Sequence, residues 1–321
     1  MPTAVIVGCS GQDGTYLSGL LEEKSYEIVG IGRGKSFGSV DISDPAEVMH
    51  LLETVQPREI YYLAAFHHSS EDVEVNDSEL VRKSFEVHTL SLNNFLYGIT
   101  QKSPRSRLFY AASCLVFGNP STTPQDERTP MDPRCPYGIS KAAGAYLCRF
   151  YREKRKVYCS VGILYNHESP LRNPQFISRK IAKAAVNIKR GLQDKLVLGD
   201  LDVRVDWGYA PDYVAAMWGI LQLDQPDDFI IASGTFHTVR ELVQTAFDVV
   251  GLRWEDHVVE DPSLLKRNRP ATTLQGTAEK LTSRTGWRPQ VSFTDMVRKL
   301  VLAEMTDGEV SDEMSALGKH P

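Results

Sequence analysis

The chain opens with a glycine-rich segment between a short apolar run and a helix-like stretch, and this arrangement constrains the fold more than any other feature. The apolar run AVIV covers residues 4–7, and GCSGQDG follows at once at residues 8–14. Gly8, Gly11 and Gly14 allow a tight turn, a close backbone approach to a pyrophosphate, and close packing of a helix on a strand. The helix N-terminus adds oriented N–H groups for the anion. The pattern predicts a dinucleotide site at the first strand-to-helix turn.

Strand-like and helix-like segments alternate through the first half of the chain. Apolar runs predict further strands at residues 27–32, 59–65, 107–113 and 157–164, with amphipathic helices between them. This β-α-β alternation predicts the α/β class and a doubly wound parallel sheet. Ligands bind such a sheet at the carboxyl ends of its strands, where the sequence places Gly8, Arg33, Ala64, Ala65, Ser113 and Asn166.

Tyr137 and Lys141 stand four residues apart in PYGISKAAGAY, at the start of a predicted helix. Residues at this spacing share one face of a helix, so the ammonium lies beside the phenol. A free tyrosine titrates near pH ~10, and a neighbouring positive charge lowers that pKa. The tyrosine then becomes usable for proton transfer. Together with the glycine-rich segment and Ser113, the pair predicts an oxidation–reduction site.

Composition predicts an enzyme of the cytoplasm. The 321-residue chain carries a net charge of −5, which argues against nucleic acid or an anionic membrane as its main partner. No apolar run approaches the ~18 residues of a membrane span, and the chain enters a strand at once, so we expect no signal peptide. The five cysteines show no C-x-x-C spacing, and we expect reduced thiols and no metal site.

Four segments of the chain resemble one known family. They are GCSGQDGTYL near the N-terminus, ILYNHESP at 163–170, SRKI at 178–181 and DWGYAPDYV at 206–214, and they look like the GDP-mannose 4,6-dehydratase family of extended short-chain dehydrogenase/reductases. The likeness runs from residue 3 to about residue 303. It implies a Rossmann domain that carries NAD(P) and a smaller, partly interleaved C-terminal domain that carries a nucleotide-diphosphate sugar.

The resemblance also implies domain boundaries. Residues 1–164 and about 206–233 form the dinucleotide-binding domain, and residues of about 165–205 and 234–305 form the nucleotide-sugar domain. Residues 306–321 are expected to be a tail.

Residues that match the family's motifs take expected roles from it. Tyr137 corresponds to the catalytic tyrosine, Lys141 to the lysine that holds the nicotinamide ribose, and Ser113 to the residue that hydrogen-bonds the reacting sugar oxygen. Arg33 matches an arginine that accepts a 2′-phosphate, which favours NADP, with NAD as the alternative. The residues that match the cofactor site are Gly8, Gly11, Gln12, Asp13, Gly14, Arg33, Asp41, Ile42, Ala64, Ala65, Tyr137 and Lys141.

Five basic or polar residues match the family's contacts with the nucleotide sugar, namely Asn166, Arg179, Lys180, Arg204 and Arg269. A basic helix is as often a solvated face, and that alternative applies to Arg179 and Lys180. The family also has an arginine directly before Asp-Trp, where this chain has Val205, and Arg204 stands one residue early. A one-residue slip turns a strand side chain to the other face, so either a local bulge restores Arg204 or the grip on the diphosphate weakens.

Leu115 is the departure with the largest chemical consequence. The family carries a glutamate there, which removes the proton at sugar C5 so that water leaves from C6, and a leucine cannot move a proton. The adjacent Cys114 points to the opposite face if the strand continues. ASCLVFG also looks like the SSxxVYG form of sugar epimerases, which need no such glutamate. A further departure, Thr272 in place of a glutamate that holds a ribose hydroxyl, leaves the choice of nucleotide open.

These residues favour hydride transfer at C4 of a nucleotide-diphosphate hexose of the GDP-mannose type, with a 4-keto reductase or C4 epimerase as the preferred outcome. The close alternative is a GDP-mannose 4,6-dehydratase that uses another base. A third alternative is a non-catalytic NADP-binding sensor, which the joint presence of Ser113, Tyr137 and Lys141 disfavours. By resemblance, helices such as 83–100 and 137–154 pair subunits into a homodimer or homotetramer.

Overall fold

Alternating strands and helices build the first half of the chain, and strands also recur in the second half. The computed structural model describes residues 1–32, 40–66, 76–264 and 274–317, with side chains to residue 306 apart from that of Pro262. Within these ranges the strands are β1 (Thr3–Val7), β2 (Glu27–Ile31), β3 (Glu59–Tyr62), β4 (Arg107–Ser113), β5 (Tyr158–Leu164), β6 (Asn166–Glu168), β7 (Leu196–Leu198), β8 (Arg204–Tyr209), β9 (Asp228–Ile231), β10 (Phe236–Thr238) and β11 (Val258–Glu260).

Helices connect most of these strands. In the same ranges they are α1 (Gln12–Glu23), α2 (Pro45–Val55), α3 (Asp77–Phe85), α4 (Ser91–Lys102), α5 (Pro136–Arg155), α6 (Ile177–Lys189), α7 (Ala210–Leu221), α8 (Val239–Val249), α9 (Glu279–Thr285) and α10 (Phe293–Leu317). A π-helical turn at Glu86–Leu90 joins α3 to α4. Short 3-10 helices occur at Cys114–Val116, Trp254–Asp256 and Pro262–Leu264. None of the helices in the described ranges combines the length and the apolar character that a membrane crossing requires.

Six of the described strands form one parallel sheet in the order β2–β1–β3–β4–β5–β9. Their sequences are almost continuous apolar runs because helices cover both faces of the sheet. Val5 and Val7 pack in a cluster with residues of α2, α4 and α5, whereas Ala4 and Ile6 pack on the opposite face with residues of α1 and α7. The α/β class and the doubly wound parallel sheet predicted from the sequence are confirmed.

A second packed unit is built around β8. This strand pairs in parallel with β6 and antiparallel with β10. Val205 and Trp207 contribute to an apolar cluster with residues of α6, α8 and α10. Asp206, which alternates with them, accepts hydrogen bonds from Ser233 Oγ (2.6 Å) and Gly276 N (3.2 Å). One face of β8 therefore supports the second unit, and the other meets the loop that follows β9.

Two stretches form more helix than the sequence predicts. Residues 69–80 predict a loop, but α3 begins at Asp77, where the Asn76 side chain accepts from Ser78 N and Glu79 N. Ion pairs such as Lys83–Glu79 at i,i+4 spacing support this polar helix, which lacks the apolar stripe that marks a helix in sequence. α10 likewise continues to Leu317, past residue 306, where the sequence predicts a tail.

Two glycines of α1 provide a matched test of the packing between helix and turn. A Cβ at Gly14 would lie 2.5 Å from Cys9 Cα and closer still to the Gly8 carbonyl oxygen, whereas a Cβ at Gly19 meets nothing within 4 Å. We expect Gly14→Ala to destabilise the protein by about 1–3 kcal/mol through overpacking, and Gly19→Ala to stabilise it by about 0.5–1 kcal/mol. Urea unfolding of both variants measures the difference, and equal effects would contradict the close packing at Gly14.

Candidate functional site

A cavity of about 550 Å³ lies at the carboxyl ends of β1, β2 and β3. Its volume is in the range of cofactor and ligand sites. The structure brings together in its wall most residues predicted for the cofactor, namely Gly8, Gly11, Gln12, Asp13, Gly14, Asp41, Ile42, Ala64 and Ala65. The predicted 2′-phosphate ligand Arg33 lies outside the described residues. Arg172, which the sequence did not single out, also lines the cavity.

The glycine turn that directly precedes α1 has a backbone conformation suited to binding a dinucleotide. Gly8 has a φ of 97°, a left-handed value that favours glycine, and a Cβ there would lie 2.8 Å from Ala64 N. Gly11 occupies the N-cap of α1, where no side chain caps the helix. Gly11, Gln12 and Asp13 line the cavity, so the N-terminus of α1 faces it. A pyrophosphate would meet oriented N–H groups and the positive end of the helix dipole.

Asp41 lines the cavity at the side nearest β2. Its carboxylate accepts hydrogen bonds from Ser43 N (2.8 Å) and Ser43 Oγ (2.7 Å), and these bonds lower the pKa of the Asp41 carboxyl. Its backbone N–H donates to Glu47 Oε2 at 2.7 Å. The turn that carries Asp41 and Ile42 is therefore fixed by its own hydrogen bonds, which suits a surface that holds a flat base.

Buried polar contacts join the glycine turn to β6. His167 Nε2 lies 2.9 Å from Asp13 Oδ2, and Ser169 Oγ donates to Gln12 Oε1 at 2.7 Å. Burial alone would raise the pKa of Asp13 and lower that of His167. Their mutual attraction outweighs burial, so the pKa of Asp13 is lowered and that of His167 is raised. Both shifts favour the charged pair.

Ser113, Tyr137 and Lys141 lie on two neighbouring elements, as the sequence predicts. Ser113 ends β4, and its Oγ accepts from Leu115 N at 3.3 Å. Lys141 Nζ donates to Ala111 O of the same strand at 2.7 Å and lies 5.7 Å from the centre of the Tyr137 ring. The ring of His88 packs edge-on against Tyr137, with the centroids 4.9 Å apart. His88 gave no signal in the sequence.

The electrostatics of this pair differ from the prediction. Burial lowers the pKa of Lys141 from its usual 10.5 to about 7, against the opposing effect of Asp13. Burial also raises the pKa of Tyr137, and the charge that opposes this rise belongs to Arg172. The prediction that Lys141 lowers the pKa of the tyrosine is therefore wrong for this structure, because spacing fixes the geometry of the pair but does not report its desolvation.

The residues expected to hold the nucleotide sugar are scattered. Asn166 is half-buried at the start of β6, and Lys180 is half-buried on α6. Arg179 is buried, and its Nε donates to Glu304 Oε1 at 2.7 Å. This ion pair with α10 departs from the solvated face that was the alternative for Arg179, and the contact of Arg179 with the nucleotide sugar stays a prediction. Arg269 lies outside the described residues.

Arg204 is exposed, and its guanidinium lies 4.9 Å from the centre of the Phe236 ring. The β8–β10 register is continuous from Arg204↔Thr238 through Asp206↔Phe236. The local bulge that would restore Arg204 to the place of the family's arginine is therefore absent from this described pair of strands. Val205 packs against the apolar cluster of the second unit.

Leu115 and Cys114 sit in the 3-10 turn that follows Ser113. Leu115 is 37% exposed. Cys114 is buried, and burial raises the pKa of its thiol to about 12, which makes it unsuitable as a base at neutral pH. Among the described residues no group of three or more His, Cys, Asp or Glu side chains could hold a metal ion.

Comparison of the amino-acid sequence with known proteins points to one family. A sequence profile described as GDP-mannose 4,6 dehydratase matches residues 5–300. GDP-mannose 4,6 dehydratase 1 of Arabidopsis thaliana is 37% identical to this chain in an alignment 324 positions long. The alignment covers 93% of this chain and 88% of that protein. GDP-mannose 4,6 dehydratase of Homo sapiens is 33% identical over 94% of this chain and 91% of its own length.

Solved structures with the same fold carry nicotinamide cofactors or nucleotide sugars. RMD from Pseudomonas aeruginosa complexed with NADPH has a TM-score of 0.80 at 21% identity, covering 96% of this chain and 100% of that chain. UDP-glucose 4-epimerase of Thermotoga maritima with UDP-glucose has a TM-score of 0.82 at 18% identity, covering 95% and 99%. At these identities the likeness shows the fold alone.

The buried lysine should destabilise the protein measured without added cofactor. Because the folded-state pKa of Lys141 is about 7 and its usual value is 10.5, the folded state binds the proton more weakly than the unfolded chain. The penalty is full below pH 7 and shrinks as the pH rises toward 10.5. We expect Lys141→Met to be more stable by roughly 2–4 kcal/mol at pH 6, after the lost bond to Ala111 O is counted. Urea unfolding from pH 6 to pH 9 measures this, and an advantage that grew with pH would contradict the assignment.

Proposed function

Because the chain belongs to the GDP-mannose 4,6-dehydratase family, we propose that it oxidises GDP-mannose at C4 and then eliminates water across C5 and C6. The observation that carries this proposal is the near full-length identity of 37% to a protein named as such a dehydratase. The preference for a 4-keto reductase or C4 epimerase, drawn from Leu115, is not supported by the named relatives. The dehydratase alternative is supported by them.

When bound, NAD(P) would accept the hydride from C4 and, after water has left, return it to C6 while a proton is added at C5, so that the net change in the sugar is the loss of one water. The glycine turn and the N-terminus of α1 would hold its pyrophosphate, and Asp41 and Ile42 would hold the adenine end. The phenol oxygen of Tyr137 would take the proton of the C4 hydroxyl, and Ser113 would hydrogen-bond the same sugar oxygen. Lys141 would favour the phenolate once its ammonium is charged. The joint presence of these three residues argues against a non-catalytic sensor.

The elimination step needs a proton acceptor other than residue 115. A ketone at C4 acidifies the hydrogen on C5, so a weaker base than a carboxylate can remove it at a lower rate. Leu115 is 37% exposed, so solvent reaches this position, and water would be that acceptor. The same leucine is the specific observation that favours the second candidate, a reductase or epimerase that stops at hydride transfer.

Replacing Leu115 separates the two candidates. Wild-type protein with GDP-mannose and NADP should form a 4-keto-6-deoxy product slowly. Leu115→Glu should accelerate this step by about 10²–10⁴-fold, because a carboxylate can then act as general base. Leu115→Gln is the matched control, with the same shape and no proton-accepting carboxylate, and should leave the rate unchanged. Mass spectrometry of the sugar nucleotide measures the loss of water.

The outcomes for the wild-type protein assign the function. Absence of the 4-keto-6-deoxy product, together with NADPH-dependent reduction of a GDP-4-keto-hexose or C4 epimerisation of a GDP-hexose, would establish the second candidate. Absence of any hydride transfer with either NADP or NAD would overturn the proposed function as a whole.

We also propose that the chain forms a homodimer through the outer face of α4 and α5. Tyr97 of α4 and Tyr146 and Phe150 of α5 are large aromatic side chains that are about half exposed. Tyr151 Oη of α5 donates to Asn93 Oδ1 of α4 at 2.9 Å, so the two helices lie side by side. An aromatic patch of this kind on a helix pair is typical of a protein interface.

Charge introduced into this patch should separate the subunits. We expect Tyr146→Glu/Phe150→Glu to shift the protein from dimer to monomer, because a buried unpaired carboxylate is strongly disfavoured. Leu192→Glu is the control, since Leu192 is 70% exposed and lies beyond α6, in the second unit. Light scattering after size exclusion measures the mass. A wild-type monomer would contradict the proposal.

A further inference from the structure

Arg172 occupies the turn between β6 and α6, and it is the cationic side chain that the described cavity wall contains. Its guanidinium carbon lies 3.7 Å from the centre of the Phe176 ring, and its Nε is 3.4 Å from Glu168 Oε2. That Nε is buried and has no hydrogen-bond partner among the described residues. Stacking and charge therefore orient the side chain, and its position depends on how firmly its backbone is held.

Two polar contacts hold the backbone of Arg172 itself. At one side, Arg172 N donates to Ser169 O at 3.0 Å, and Ser169 is itself bonded to Gln12 of the glycine turn. At the other side, Arg179 Nη1 donates to Arg172 O at 3.3 Å. The first contact leads to the glycine turn through Ser169. The second comes from α6 and leads away from the cavity.

Arg179 is in turn held by the C-terminal helix. Its Nε and Nη2 lie 2.7 Å and 2.5 Å from Glu304 Oε1 of α10. The two side chains are 9% and 10% exposed, so both charges have left water and depend on each other. With Glu304 fixing one edge of the guanidinium, Nη1 is left directed at the carbonyl of Arg172.

We propose that Arg179 and Glu304 form a positioning pair that holds Arg172 at the cofactor cavity, so that NAD(P) affinity depends on the C-terminal helix. Neither member of the pair lines the cavity, and their effect passes through the backbone of Arg172. The phosphates of a dinucleotide are the groups that a guanidinium at this wall would meet. The inference rests on the proposed function only in taking NAD(P) as the ligand of the cavity.

NADPH binding by the full-length protein tests this positioning role. Fluorescence titration gives the dissociation constant of NADPH, and calorimetry gives the Tm. Glu304→Gln should raise the dissociation constant about 10-fold, the scale of one lost hydrogen bond to a charged group. Arg172→Met should raise it at least as much. Arg190→Met is the matched control, because Arg190 also lies at α6 and donates to Met305 O of α10, without contacting Arg172. It should lower the Tm and leave the dissociation constant unchanged.

A paired apolar replacement separates positioning from support of the fold. In Arg179→Met/Glu304→Leu the charges are replaced by apolar groups of similar volume, an exchange that often preserves stability. This double variant should keep a wild-type Tm and still bind NADPH about 10-fold more weakly, because no donor reaches Arg172 O. Wild-type affinity in the double variant would overturn the inference. Failure of the wild-type protein to bind NADPH or NADH would instead overturn the proposed function.

Discussion

The buried contact between Asp13 and His167 is the interaction on which the geometry of the site depends. It joins the glycine turn, which belongs to the parallel sheet, to β6, the first strand of the second unit. The chain then reaches Arg172 within five residues of His167 and enters α6. The position of Arg172, which lines the cavity, therefore depends on both the parallel sheet and the second unit. Loss of either charge would leave the other buried without its opposite charge, which is far costlier than the loss of a surface pair.

Burial shifts the pKa values of Lys141 and Tyr137 away from their usual values, and it also lowers the stability of the folded protein. Lys141 is 1% exposed, and its pKa of about 7 places its charge change at neutral pH. Tyr137 is held as a phenol by the same burial. Lys141 is therefore the member of the pair that can change its charge near neutral pH, whereas Tyr137 needs a neighbouring positive charge before its proton can be lost. Burying these two groups lowers the free energy of unfolding, and such a cost in stability is common at active sites.

The sequence predicted the elements that arise from local pattern, and missed those that arise from distant contacts. Continuous apolar runs predicted the strands of the parallel sheet, and glycine spacing predicted the turn at Gly8, because both signals are local. Arg172 and His88 carried no such signal, since their roles come from a cavity wall and a ring contact. The ion pair of Arg179 carried no signal either, because a basic helix does not reveal a carboxylate 125 residues later, at Glu304. The pKa of Tyr137 was misjudged for the same reason: desolvation is a property of the folded surroundings.

Family membership bears on the oxidation step of the proposed reaction, whereas Leu115 bears on its elimination step. Identity over most of the chain covers the parallel sheet, the cofactor turn and the groups around Tyr137, and in the proposed reaction these would serve oxidation at C4. In the proposed reaction, elimination needs a proton acceptor beside C5, and a substitution at that position would change its rate more than it changes the fold. Cys114 is unsuited to the role because its thiol is buried. Leu115 is partly exposed, and if solvent is the acceptor, as proposed, such a dehydratase would be limited by proton removal, with oxidation at C4 before the slow step.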